Sequence, residues 1–261
     1  MSDNNQILAQ YATSAPLAAR RGLYDTNIGV TLTDRLDEQL QLSSAKSLLD
    51  VGCGYGADVA TFSKRYPQLQ IVGLDQSEGQ LCDAQNTTPS AKFVLADATN
   101  FELQTTFDRV LIRHVFHLVS DPSAMLKQIL KHCHSGSRIA ISLHSLKSQP
   151  KYRSWITWFK TVTGIDYTFP TDTFAFENRQ AVFAQLPLTV QFLECEEKIH
   201  LRAAEPYLDY IKGQKRWSKQ PSEAQLNMLI EHVRADIEDN IAQKGFFEDP
   251  SINGIVIVDI L

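Results

Sequence analysis

Apolar residues along the 261-residue chain fall into two rhythms. Between about residues 45 and 145, short apolar runs alternate with amphipathic stretches. The segments AKSLLDVGC, LQIVGLD, AKFVLAD, FDRVLIRHV and SRIAISLHS are brief, rich in β-branched residues and bounded by turn formers, so they predict five strands. Between them, GADVATFSKRY predicts a helix that stops before Pro67. Ser77 is placed to N-cap the helix EGQLCDAQ. Asp121-Pro122 opens another helix, expected to run to His134 with Gly136 in the left-handed position beyond its end. Strands alternating with helices imply a parallel sheet covered on both faces.

Outside that region the rhythm changes. Residues 1–44 read as helical, with Leu32, Leu36 and Leu40 at four-residue steps on one face. After residue 145, KYRSWITWFKTVTG and the long stretch from Ala204 to Gly245 read as aromatic-rich helices. NRQAVFAQLP reads as a short helix, LTVQFLECEEKIHL as a strand and GIVIVDIL as a final apolar strand. These elements describe one α/β core, residues 45–200 plus 245–261, with helical inserts over its functional edge. In such sheets ligands bind beyond the C-terminal strand ends.

Composition narrows the partners. A formal charge of −5 gives no global attraction for DNA, RNA or an anionic membrane. The polar, acidic N-terminus resembles no secretion signal, and no apolar run reaches the length of a membrane span. Cys53, Cys82, Cys133 and Cys195 are scattered without a C-x-x-C pair, which fits a reduced, cytoplasmic protein. His132-Cys133-His134 lacks a second ligand pair, so a polar helix end is favoured over metal binding, and no metal is expected.

The chemistry concentrates at LLDVGCGYG. Gly52 and Gly54 permit a tight strand-to-helix turn against which a ligand can lie. Gly52-x-Gly54-x-x-Ala57 also satisfies the dinucleotide fingerprint, and Asp75 at the next strand end could grip ribose hydroxyls in either case. Three features tilt the choice. Asp50 stands just before the glycines, where a carboxylate repels phosphate and attracts a cation. Asp97 ends the third strand and could accept from an adenine amino group, with a turn role as the alternative. A Y-x-x-x-K pair and a Walker lysine are both missing.

Taken in order, LLDVGCGYG, VGLDQS, FVLADAT and FDRVLIRHVFHLVSDP resemble the motif set of class I S-adenosylmethionine-dependent methyltransferases, over roughly residues 45–145. Within the class the chain is similar to bacterial small-molecule methyltransferases. The resemblance implies a Rossmann-like, seven-stranded, mostly parallel sheet with an antiparallel last strand, helices on both faces and helical cap inserts at about 146–176 and 203–244. It implies an N-terminal helical segment, residues 1–44, that closes over the cofactor, ahead of a methyltransferase domain over 45–261. S-adenosylmethionine would be the cofactor and S-adenosylhomocysteine the product. Asp50, Gly52, Cys53 and Gly54 would seat the methionine end. Asp75 would take the ribose, Gln76 would lie along the adenine, and Asp97 with Ala98 would meet the adenine amino group. Arg113 would stand near the methionine portion, and Arg21 or Tyr24, within ARRGLYD, would close over it.

A sulfonium methyl is already activated, so positioning and exclusion of water can supply most of the rate. If a proton must leave the acceptor, His144 and His117 are the candidate bases, with His114 behind them. The acceptor is expected to be a small metabolite methylated at oxygen, nitrogen or carbon, by a monomer or homodimer. An RNA methyltransferase is the alternative, resting on the basic run Lys212–Lys219, for which a solvated helix end is the plainer reading. A catalytically silent binding protein of the same fold is the other. Tyr152, Trp155, Trp158 and Phe159, like Tyr207, Tyr210 and Trp217, are expected to pack the cap rather than line a substrate pocket.

Overall fold

The computed structural model describes residues 22–184 and 189–261. Eight strands form one sheet: β1 (Asn27–Ile28), β2 (Ser47–Val51), β3 (Gln70–Asp75), β4 (Lys92–Leu95), β5 (Phe107–Arg113), β6 (Cys133–His144), β7 (Thr189–Leu201) and β8 (Phe247–Asp259), in the order β1-β7-β8-β6-β5-β2-β3-β4. Strands β2 to β6 pair in parallel, and β8 runs antiparallel to β6. The fold class is the expected one, with one strand more than seven. The addition is β1, two residues long, paired antiparallel with Lys198 and Ile199 at the far end of β7.

The chain divides into two compact units: residues 32–146, 173–195 and 253–261 form a core unit, and residues 1–31, 147–172 and 196–252 form a cap unit. Strands β7 and β8 pass from one unit to the other along their length.

The core unit carries α1 (Leu32–Leu40), α2 (Ala57–Arg65), α3 (Glu78–Thr87) and α4 (Pro122–Leu130). Alternation along the strands sorts the side chains. Leu49, Val51, Val110, Ile112, Ile139 and Ile141 pack on one face, while Leu48, Leu111, Ala140 and Ile257 pack on the other with α1 and α2. Caps fix the helix starts as expected: Ser77 Oγ accepts the Gln80 N–H, and Asp121 accepts the Ala124 N–H with Pro122 in the first turn.

One expected boundary is corrected. Helix α4 ends at Leu130, and residues 133–144 are strand, so His132–His134 is not a helix end. Gly136 does adopt a positive φ (+92°), but its N–H donates to Ile260 O, which holds the segment to the last strand rather than to a helix. Here sheet pairing overrides a local C-cap signal.

The cap unit carries α5 (Pro150–Thr163), α8 (Glu205–Lys212) and α9 (Glu223–Lys244); α6 (Pro170–Thr173) and α7 (Gln180–Phe183) are single turns at and beyond its boundary. Tyr152, Trp155, Phe159, Tyr167, Tyr207, Tyr210, Trp217 and Phe247 form its buried aromatic centre. Buried Asp249 organises the start of α5: its carboxylate accepts the N–H groups of Lys151 and Tyr152 and the Tyr207 hydroxyl. Burial pushes the Asp249 carboxyl up to about 6, against the pull of those donors. Among the described residues no helix is long and apolar enough to cross a membrane.

Candidate cofactor site at the strand ends

Strand β2 enters the glycine turn at Gly52, with φ +74°. A Cβ there would lie 2.4 Å from Val115 Cγ2, so both backbone and packing demand glycine. The amide hydrogens of the turn are already engaged. Gly52 and Cys53 both donate to Leu74 O (2.7 and 3.0 Å), and Gly54 donates to Asp75 Oδ2 (2.9 Å). A phosphate cradle needs such N–H groups directed at the ligand. This turn directs three of them to acceptors within the protein, which weighs against the dinucleotide reading left open by the Gly52-x-Gly54-x-x-Ala57 match.

What the strand ends do present is carboxylate. Asp50, 2 % exposed, sits at the end of β2. Burial holds its carboxyl well above the usual carboxylate range. The charges of Asp58 and Asp75 push the same way, and Arg113 opposes them. Asp75 spans the turn: Oδ2 takes the Gly54 N–H and Oδ1 takes the Ser77 N–H at 2.9 Å. Asp97 is exposed, and its Oδ1 accepts both the N–H and the hydroxyl of Thr99 at 2.7 Å. The turn role foreseen as the alternative for Asp97 is therefore present, and it uses only one carboxylate oxygen. Gln76 is exposed and Ala98 half-buried beside these acids. Cys53 is half-buried, and burial next to Asp50 and Asp75 drives its thiol far up, which makes it an unreactive wall.

Arg113 ends β5, and its Nη1 donates to Asp58 Oδ1 (2.6 Å) and Thr33 Oγ1 (2.9 Å). The guanidinium is thus anchored to the first turns of α1 and α2 while standing close enough to Asp50 to counter its burial. Asp58 and Thr33 were not singled out from sequence. Asp58 had a signal, an acid in the first turn of the helix that follows the glycines.

The three histidines converge at the C-terminal ends of β5 and β6. His114 and His144 stack face to face, with ring centroids 4.0 Å apart and planes 3° apart, and His117 tilts against His144 at 5.3 Å. His114 adopts φ +55°, a strained conformation for a non-glycine residue, which places its ring in the stack. Tyr24 belongs to the cap unit, where its hydroxyl accepts from Gln149 Nε2 (3.2 Å). Arg21 lies outside the described residues. No cluster of three or more His, Cys, Asp or Glu side chains suited to a metal occurs among the described residues. His132 instead stacks on Phe101, and His134 pairs with Asp108.

The basic run Lys212–Lys219 starts at the end of α8 and is solvated only in part. Lys212, Lys215 and Lys219 are exposed, but Arg216 and Trp217 are buried.

Five parallel strands with an antiparallel β8 beside β6 and a glycine turn after β2 have the arrangement of the class I S-adenosylmethionine-dependent methyltransferase fold. Residues 42–180, just over half of the chain, match a family model described as "Methyltransferase domain", and the chain belongs to that family. Among curated proteins it is similar to trans-aconitate 2-methyltransferase of Azoarcus sp. (strain BH72), 27% identical over 115 residues, which is 44% of this chain and 46% of that protein. A second, from Enterobacter sp. (strain 638), is 26% identical over 44% of this chain and 45% of that protein. The chain thus spans about half the length of the curated relatives it matches. Among solved structures, the plantazolicin methyltransferase BamL, determined with a triazolic desmethylPZN analog and SAH, aligns at TM-score 0.55 and 16% identity over 99% of this chain and 96% of its own. YcgJ from Bacillus subtilis aligns at TM-score 0.58 and 13% identity, over 88% of this chain and 98% of its own. At those identities the two structures bear on the fold alone.

Proposed function

We propose that this protein moves a methyl group from S-adenosylmethionine to an oxygen, nitrogen or carbon nucleophile of a small metabolite. The observation that carries the reading is the acidic rim Asp50, Asp75 and Asp97 around a turn whose Gly52, Cys53 and Gly54 amides already donate within the protein. The chemistry of these groups fits a cofactor with cationic, hydroxyl and amino groups, and does not fit one with a pyrophosphate.

Each residue then has a task. The Gly52–Gly54 backbone, with Cys53 as an inert wall, receives the methionine end, and Asp50 behind it faces the positive charge. The unused lone pairs of Asp75 accept the ribose hydroxyls. Gln76 lies along the adenine, and the second oxygen of Asp97 accepts its amino group beside Ala98. Arg113, fixed by Asp58 and Thr33, limits how far the acids repel one another. Thr33, in the N-terminal segment expected to close over the cofactor, reaches Arg113. When bound, the cofactor supplies an activated methyl on sulfur. His144, steadied by its stack on His114, takes a proton where the acceptor must lose one, and His117 is the second candidate.

The curated relatives are named for trans-aconitate, so a tricarboxylate is the first acceptor to test. Incubation with isotope-labelled methyl donor, trans-aconitate and a host metabolite extract, followed by mass spectrometry, reads the reaction directly. A labelled small-molecule product supports the proposal. Label only in RNA, or in nothing, contradicts it.

A further inference from the structure

The cap unit contains a charge that its own fold does not answer. Arg216 is 5 % exposed, and Nε, Nη1 and Nη2 all lack a hydrogen-bond partner among the described residues. Polar groups of the same segment are matched. The Arg216 carbonyl accepts the Thr168 N–H at 2.9 Å. Gln214 Oε1 accepts the Tyr167 hydroxyl (2.6 Å), and Gln214 Nε2 donates to Tyr210 O (2.9 Å). Trp217 Nε1 donates to Gln214 O (3.1 Å). Other arginines withdrawn from solvent are also answered: Arg113 by Asp58, Arg138 by Asp259 and Arg153 by Thr171. The segment is therefore held by hydrogen bonds in which its guanidinium takes no part.

A buried guanidinium cannot shed its proton to escape the cost of desolvation. Its fork of N–H donors matches one partner best, a planar oxyanion bound through two parallel hydrogen bonds. We propose that Arg216 is the anchor of a carboxylate-binding site in the cap unit, whose ligand is a small carboxylate-bearing molecule. The deepening rests on the small-molecule reading above only for the choice of carboxylate. The guanidinium is sealed from solvent, so the anion reaches it as the surrounding side chains part. Two sources share this chemistry: a polycarboxylate metabolite and an amino-acid carboxylate.

The test uses the full chain and the variants Arg216→Met and Arg216→Lys. Calorimetry with sodium trans-aconitate, sodium citrate and sodium phosphate is run beside S-adenosylhomocysteine and 5′-methylthioadenosine, which lacks the amino-acid portion. The expected result is at least tenfold weaker carboxylate binding in Arg216→Met, with an intermediate loss in Arg216→Lys. Unliganded Arg216→Met melts at or above the wild-type temperature, because the change removes a charge with no partner. Weakened trans-aconitate or citrate binding with unchanged S-adenosylhomocysteine binding assigns the site to a polycarboxylate. Weakened S-adenosylhomocysteine binding with unchanged 5′-methylthioadenosine binding assigns it to an amino-acid carboxylate. The proposal is overturned if both ligand sets bind all three proteins alike, if only phosphate depends on Arg216, or if Arg216→Met melts well below wild type, which marks a structural role. Failure of the methyltransferase reading looks different: the wild type then binds no adenosyl ligand at all.

Discussion

Replacing Asp75 by Asn tests the link between the glycine turn and the cofactor. Both carboxylate oxygens of Asp75 accept backbone N–H groups, Gly54 on one side and Ser77 on the other, each at 2.9 Å. An amide has one oxygen. Whichever way it is turned, its NH2 group faces a backbone N–H, and one donor in the turn loses its acceptor. Leaving a donor unmatched costs about 1–3 kcal/mol. For a unit of this size that lowers the melting temperature by about 2–12 °C. Binding suffers separately, because a ribose hydroxyl donating to an ionised carboxylate is worth about 1.5–3 kcal/mol. Its loss weakens S-adenosylhomocysteine binding roughly 10- to 100-fold. Calorimetry and thermal melting read the two effects on one sample. Asp97→Asn is the control: both Thr99 bonds fall on Oδ1, so one amide oxygen can replace them and the fold stays as stable. Wild-type melting and a dissociation constant within threefold of wild type for Asp75→Asn would refute the reasoning.

Binding of S-adenosylmethionine is expected to release a proton. Burial raises the Asp50 carboxyl above the ordinary carboxylate range and a nearby cation favours its ionised form, so wherever the free protein carries that proton, binding releases it and affinity rises with pH. Titrations in buffers of different ionisation enthalpy count the proton; zero uptake or release, or net uptake, contradicts this. Gly52→Ala forces φ +74° on a residue with a Cβ and drives that atom to 2.4 Å from Val115 Cγ2. The strain and overpacking together cost about 2–5 kcal/mol by chemical denaturation, and an unchanged midpoint argues against the turn as described. Asp249 gives the cap a pH signature. Its folded value of about 6 lies above the ordinary 3.8, so the stabilisation it gives is complete at pH 3 and is lost as pH rises through 6, about 3 kcal/mol in all. Asp249→Asn should flatten the dependence of cap unfolding on pH between 4 and 7, and a slope equal to wild type would count against that assignment.

Much of the core was legible because its signals are local. The βαβ rhythm, the N-caps Ser77 and Asp121, and the three strand-end acids follow from windows of a few residues. The start of β6 was not, because Gly136 carries a helix-end signal that only pairing with residues over 100 positions away overrides. Arg113 was placed at the end of a strand, but its anchors Thr33 and Asp58 lie 80 and 55 residues from it in sequence. Histidines 114 and 144 were seen singly; that they stack depends on the adjacency of β5 and β6. The run around Arg216 misled for the same reason. Pairing of residues 216 and 218 with 166 and 168 draws an apparently solvated basic stretch inward. Local pattern reports which elements form, and long-range pairing decides which side chains meet.

The central claim is that the turn and its acidic rim seat S-adenosylmethionine. Titration calorimetry of the full chain against S-adenosylhomocysteine and, separately, against NAD tests it most directly. The account predicts one equivalent of S-adenosylhomocysteine bound and no heat from NAD. Binding of NAD, or no binding of the adenosyl ligand, would contradict it.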